Sequence, residues 1–177
     1  MSTAYTLACY QPLGISIPRL GCVMLDLEPA DPLPSLPEEW LYTSTDPDMR
    51  HVSGLTTEHH TTLLFGLLRN AHEWLFAIDE VLADWQLPGP LEVSEVHTFP
   101  SPKASEPYSC IVGLLDSDDL RDAHARLSLL PHINTHPTYR PHVTLAYVHQ
   151  RHEADAAAIF STPARFVPLG LNYGDPR

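Results

Sequence analysis

Residues 60–65 have the sequence HTTLLF, and residues 142–147 have the closely matching sequence HVTLAY. In both stretches a histidine is followed two places later by a threonine, and then by a leucine and an aromatic residue at the same offsets. Side chains two residues apart in a β-strand lie on one face, about 6.6 Å from each other. Each stretch therefore predicts a strand with an imidazole and a hydroxyl on one face and apolar side chains on the other.

The His-x-Thr tripeptide is weak evidence by itself, because it occurs four times, starting at His59, His60, His136 and His142. His136 is followed by a proline and has no alternating apolar face behind it, which argues against a strand. A register that starts at His59 turns Leu63 away from the core, since a one-residue slip inverts every side chain. We therefore select His60 and His142, and keep His59 as the alternative to His60.

Composition indicates a globular protein. A length of 177 residues with 44% hydrophobic residues is typical of one domain, and we expect a single bilobal domain over residues 1–177. No run of about 18 apolar residues predicts a membrane span. No secretory signal is visible, and the odd number of separated cysteines, Cys9, Cys22 and Cys110, favours reduced thiols. These features predict a cytoplasmic protein.

The net charge of the chain limits the kinds of binding partner that we expect. A formal net charge of -12 with only 10 Lys and Arg residues disfavours duplex DNA, tRNA and anionic membranes, because phosphate backbones are bound through several basic contacts. A small anion held in a polar cleft is compatible with this charge. A net negative charge of this size can also have no role other than keeping the protein soluble.

The pattern along the chain predicts an α+β fold. The expected strands are residues 21–27, 40–43, 60–65, 91–99, 108–115, 142–147 and 165–172. A proline-dense connection separates the first two of these strands. We expect Gly66 to end the first His strand, and apolar residues spaced by three and four predict a long helix over 67–85. Two further helices are expected, one capped by Ser117 and one over 153–160.

The two strands suit acid–base chemistry at phosphorus. Histidine titrates near pH 6.5, so one imidazole can accept a proton while another donates one. Thr62 and Thr144 could donate hydrogen bonds to phosphoryl oxygens where negative charge develops. Such a scheme needs no metal and no cofactor. The pairs His149 with His152 and His132 with His136 have spacings that metal sites use, but they lack Cys or carboxylate partners and are interpreted as surface histidines.

The residues HTTL and HVTL, each at the end of a loop that leads into a strand, resemble the two-histidine (2H) phosphoesterase superfamily. The resemblance covers roughly residues 21–172. It implies the bilobal LigT-like fold, with two antiparallel sheets related by a pseudo-twofold axis and flanking a central cleft. The wording YRPHVTLAYV at residues 139–148 is similar to the phage and prophage branch, which includes anti-CBASS proteins. The chain departs from the usual motif at Thr61, where an apolar residue is common.

By this resemblance, His60 and His142 are the catalytic acid–base pair, and Thr62 and Thr144 bind the phosphate. Tyr139 is the candidate for stacking on a nucleobase. The implied activity is metal-independent hydrolysis of 3′–5′ linkages in cyclic di- or oligonucleotides, such as 3′,3′-cyclic GMP-AMP, in phage counter-defence. Two alternatives remain. One is a phosphodiesterase of the same superfamily that acts on 2′,3′-cyclic nucleotides or RNA ends. The other is a non-catalytic module that sequesters cyclic nucleotides.

Overall fold

The computed structural model describes residues 20–49, 51–134, 138–161 and 164–174. Within these ranges the chain has an α+β fold of six antiparallel strands and three helices. The strands are β1 (Leu20–Pro29), β2 (His59–Leu68), β3 (Leu91–Pro100), β4 (Tyr108–Leu115), β5 (His142–His149) and β6 (Arg165–Gly174). The helices are α1 (Leu75–Val81), α2 (Asp118–Leu127) and α3 (Glu153–Ile159).

The six strands form one sheet in the order β2-β1-β6-β3-β4-β5. Strand β3 joins the two halves, because Leu91 and Glu92 pair with β6 while residues 93–100 pair with β4. The prediction of two separate sheets therefore differs from the structure, in which one strand belongs to both halves. The two motif strands, β2 and β5, are the two ends of the strand order.

The two ends of the sheet come together, since β2 and β5 contact each other. Each is also covered by a segment from the other half of the chain. The amide of Tyr147 in β5 donates to the carbonyl of Gly54 at 2.8 Å, and the amide of Ile133 donates to the carbonyl of Gly66 in β2 at 2.8 Å. These hydrogen bonds satisfy backbone groups that would otherwise be exposed at the strand edges.

The larger of two core clusters has residues from all six strands and all three helices, and a smaller one consists of Met49, Val52 and Tyr108. Helix α2 has the predicted cap, because the Ser117 hydroxyl accepts a hydrogen bond from the amide of Leu120 at 3.3 Å. Its buried side chains, Leu120, Ala123 and Leu127, are spaced by three and four residues and so lie on one face. No helix in the described ranges has the length and apolar character needed to cross a bilayer.

The long helix predicted over residues 67–85 is wrong in its first half. Strand β2 continues to Leu68, a 3-10 turn follows at Ala71–Trp74, and α1 has only seven residues. Gly66 does not end the strand, because it forms a bulge with φ of 97° and lets Leu67 pair with Gly21. Residues 40–43 do not form the expected strand, because Trp40 ends a 3-10 turn and only Leu41 and Thr43 form isolated bridges.

We predict that Gly66→Ala destabilises the protein by about 3 kcal/mol. The φ of 97° is unfavourable for alanine, and a Cβ at this position would clash with the carbonyl oxygen of Ile133. Urea denaturation measures the change. Gly89→Ala is the matched control, because a Cβ there meets nothing within 4 Å. Equal midpoints for the two variants would contradict the assigned role of the bulge.

Candidate active site

The first motif lies at the start of β2, with alternating exposure. His60 is exposed and Thr62 is half-buried, whereas His59, Thr61 and Leu63 are buried. The strand thus has the register that starts at His60, and His59 faces the interior. Thr61 is fully buried, so it occupies an inward position on the strand.

The second motif lies at the start of β5. His142 and Thr144 are half-buried on one face, and Val143 and Leu145 are fully buried on the other. The ring of Phe99 packs edge-on against His142, with 5.4 Å between ring centroids. His142 Nδ1 lies 2.8 Å from the carbonyl oxygen of Arg140. A carbonyl can only accept a hydrogen bond, so Nδ1 carries a proton in this contact and Nε2 is the nitrogen that exchanges protons.

The strands beside the two motifs match position by position. On β1, the residues opposite His60, Thr62 and Phe65 are Asp26, Met24 and Cys22. On β4, the residues opposite His142, Thr144 and Tyr147 are Leu114, Val112 and Cys110. A register shift precedes the partner of the threonine in both pairs. The two neighbourhoods therefore share a cysteine and differ at the partner of the histidine.

Each cysteine interacts with the hydroxyl of a motif threonine. Cys110 Sγ lies 3.8 Å from Thr144 Oγ1, and Cys22 hydrogen-bonds to the side chain of Thr62. Burial raises the pKa of both thiols to about 11, and the hydrogen bonds to the threonines oppose that effect. Both thiols therefore stay protonated at neutral pH. A thiol that donates to the Thr144 oxygen leaves that hydroxyl able to donate its own proton elsewhere.

Two side chains connect the motif strands. His59 Nδ1 lies 3.2 Å from the carbonyl oxygen of Thr144, and the Tyr139 hydroxyl donates to the carbonyl oxygen of Thr62 at 3.1 Å. Each donor comes from the segment next to one motif and binds the threonine of the other. Burial lowers the pKa of His59, while its contact with the Thr144 carbonyl acts in the opposite direction. His59 is thus a neutral, structural imidazole in the folded protein at neutral pH.

Tyr139 also stacks on His124, with 3.9 Å between ring centroids and 8° between planes. Burial raises the pKa of its hydroxyl, which keeps it protonated as a donor. One face and the hydroxyl of this tyrosine are therefore engaged within the protein. Stacking of Tyr139 on a nucleobase stays a prediction, and it would need the other face of the ring.

Asp26 is a candidate site residue that the sequence analysis missed. It lies opposite His60, and Asn172 Nδ2 is 3.1 Å from both of its carboxylate oxygens. The feature of the sequence that could have identified Asp26 is that it is the one charged residue in the apolar run at 20–27. The repeated cysteine was also visible, because residues 22–27 (CVMLDL) and 110–115 (CIVGLL) begin and end alike.

Two of the histidines considered for metal binding contact aromatic side chains. The ring of His152 stacks on Trp40 with centroids 5.0 Å apart, and His149 packs edge-on to Tyr42. His136 lies outside the described residues. Across the described part of the chain, no three His, Cys, Asp or Glu side chains are grouped as a metal site would need.

Comparison with known proteins adds evidence about the fold. No family model and no curated protein matches this chain. The chain has a fold similar to that of Usb1. The structure of Usb1 from Kluyveromyces marxianus matches with a TM-score of 0.51 and 10% sequence identity, over 90% of this chain and 95% of that one. Usb1 and this chain therefore share an architecture over almost their whole compared lengths.

We predict that His59 makes the protein less stable as the pH falls. Its pKa is lowered in the folded state, so below about pH 6.5 the unfolded chain binds a proton that the folded chain does not. The free energy of unfolding should then fall by up to about 1.4 kcal/mol per pH unit. Urea denaturation between pH 7.5 and 5.5 measures this slope.

His59→Gln should reduce the pH slope, since glutamine does not titrate and its amide can still donate to Thr144. His72→Gln is the control, because His72 is an exposed histidine. Identical slopes in the wild type and in His59→Gln would show that the buried imidazole is not the titrating group.

Proposed function

We propose that this chain is a metal-independent phosphodiesterase of the 2H superfamily. The observation that carries the proposal is the pair of His-x-Thr strands that contact each other, with His60, Thr62, His142 and Thr144 all on the less buried faces. The fold shared with Usb1 supports a phosphoesterase at this coarse level. His60 and His142 would be the acid and base, and the two threonines would bind the phosphoryl oxygens.

The two halves of the chain would be related by a pseudo-twofold axis that passes between the motifs. Matched registers on β1 and β4 support this relation, as do Cys22 and Cys110 at equivalent places. The crossed hydrogen bonds from His59 and Tyr139 support it as well. Such an axis would place the two imidazoles on opposite sides of one bound phosphodiester.

The proposed substrate is a cyclic di- or oligonucleotide such as 3′,3′-cyclic GMP-AMP, and the proposed setting is phage counter-defence in the bacterial cytoplasm. The net charge of -12 supports a small ligand over a long nucleic acid, which would be repelled over a large surface. A ribose 2′-hydroxyl next to the scissile phosphate would be the nucleophile. The linear product would form through a 2′,3′-cyclic phosphate.

We predict hydrolysis of a cyclic nucleotide that EDTA does not inhibit. The assay incubates the protein with cyclic di- and trinucleotides, 2′,3′-cyclic mononucleotides and short RNAs, and separates the products by chromatography. Cleavage of only the mononucleotides or RNA ends would favour the second branch of the superfamily. Binding without turnover would favour a sequestering module, and loss of activity with EDTA would contradict the metal-free mechanism.

We predict that His60→Ala and His142→Ala each lower kcat at least 100-fold, because each removes a general acid or base. Thr62→Val and Thr144→Val should each lower kcat/KM about 10-fold or more through loss of a donor to the phosphoryl group. His72→Ala is the control and should keep wild-type activity. Retention of more than about a hundredth of the rate in either motif-histidine variant would exclude the acid–base assignment.

A further inference from the structure

Resting on the proposed function, we propose that Asp26 makes the two histidines unequal. His60, whose cross-strand partner is Asp26, is the acid that protonates the leaving oxygen, and His142 is the base that activates the nucleophile. Asp26 is then a positioning residue, which acts through His60 and does not touch the substrate.

The two histidines differ in the residue that lies opposite each of them on the neighbouring strand. Asp26 is the cross-strand partner of His60, and Leu114 is the partner of His142. Directly opposed residues in an antiparallel pair have Cβ atoms about 5 Å apart and side chains on one face. An anionic group at this range favours the imidazolium form of histidine, whereas an apolar side chain does not. The same backbone position is thus charged at one motif and apolar at the other.

The Asp26 carboxylate has a neutral partner. Asn172 on β6 donates to it through Nδ2, which is 3.1 Å from both carboxylate oxygens. An amide donor orients the carboxylate and leaves its charge uncompensated, unlike an arginine or lysine. The negative charge is therefore available to act on His60.

The surroundings of His142 set the tautomer of its neutral form. Phe99 packs edge-on against the ring, and the Arg140 carbonyl accepts a hydrogen bond from Nδ1–H, which leaves Nε2 as the nitrogen that can accept a proton. This tautomer has a lone pair at Nε2, as a general base requires.

Other titratable groups on the strands beside the motifs do not reverse the contrast. Glu28 lies two residues from Asp26 on β1, farther from His60, and is exposed to solvent, which screens its charge. The thiols of Cys22 and Cys110 occur at equivalent places and stay protonated. Glu95 and His97 on β3 are paired with each other, with 2.9 Å between Glu95 Oε2 and His97 Nε2. The positive charge of the exposed Arg140, two residues before His142, would disfavour a second cation there.

These roles give a balanced reaction. His142 Nε2 accepts the proton of the ribose 2′-hydroxyl, and the 2′ oxygen forms a bond to phosphorus. The bond from phosphorus to the 5′ oxygen breaks, and that oxygen takes the proton of the His60 imidazolium. In the second step, neutral His60 accepts a proton from water, whose oxygen bonds to phosphorus. Protonated His142 returns its proton to the departing 2′ oxygen, so both histidines recover their starting states.

A substrate with a better leaving group separates the two roles. The probe is 3′,3′-cyclic GMP-AMP in which sulfur replaces a 5′-bridging oxygen, because a thiolate departs without a proton. His60→Ala should cleave the sulfur-containing linkage within about 10-fold of the wild-type rate, whereas His142→Ala should stay at least 100-fold slower. If the sulfur probe restores cleavage by His142→Ala and not by His60→Ala, the assignment of acid and base is wrong but the proposed function stands. Failure of the wild type to cleave either the oxygen or the sulfur probe would overturn the proposed function as well.

The pH dependence of kcat tests the part played by Asp26. Asp26→Asn should move the high-pH limb of the profile down by about one unit, because His60 loses its proton more readily without the carboxylate. The rate above that limb should then fall about tenfold, and Asp26→Glu should restore it in part. Glu28→Gln, which removes an exposed carboxylate from the same strand, is the matched control. An unchanged limb with a uniformly lower rate would show that Asp26 has only a structural role.

Discussion

The contact between the two edge strands is the constraint on which the candidate site depends. Strands β2 and β5 are the farthest apart in the strand order, yet His59 binds the Thr144 carbonyl and Tyr139 binds the Thr62 carbonyl. Burial keeps His59 neutral and Tyr139 protonated, so both are suited to donate to a carbonyl at neutral pH. These two hydrogen bonds fix the motif threonines at the point where the strands meet. Loss of either would leave a carbonyl without its donor and loosen the spacing between the motifs.

Each half of the chain surrounds its motif in a similar way, but the charge opposite the histidine differs. A protonated thiol accompanies each threonine hydroxyl, whereas the partner of the histidine is Asp26 in one half and Leu114 in the other. In the proposed function, these two similar neighbourhoods would hold one phosphodiester between the imidazoles of His60 and His142. A difference in charge would then give those imidazoles different roles in the first step, since groups in unlike environments titrate apart.

The local sequence pattern predicted the strands well, but it failed where β2 ends and the next helix begins. Alternating and continuous apolar runs located β1, β3, β4, β5 and β6, and a serine cap located α2. The helix predicted from residue 67 failed, because Leu67 and Leu68 fit either a helical stripe or a strand. Only the pairing of Gly21 with Leu67 across the Gly66 bulge decides between them. The number of sheets likewise depends on β3 pairing on both sides, which no local pattern encodes.

The sequence by itself determined the two His-x-Thr strands and their register, because the alternation of polar and apolar side chains is a local property with a period of two. Tertiary structure alone decided what surrounds them. Asp26, Cys22 and Cys110 reach the motifs through strand pairing, and His59 contacts a carbonyl 85 residues away. Such partners are set by sheet register and by the contact between β2 and β5, and these arise only when the whole core packs.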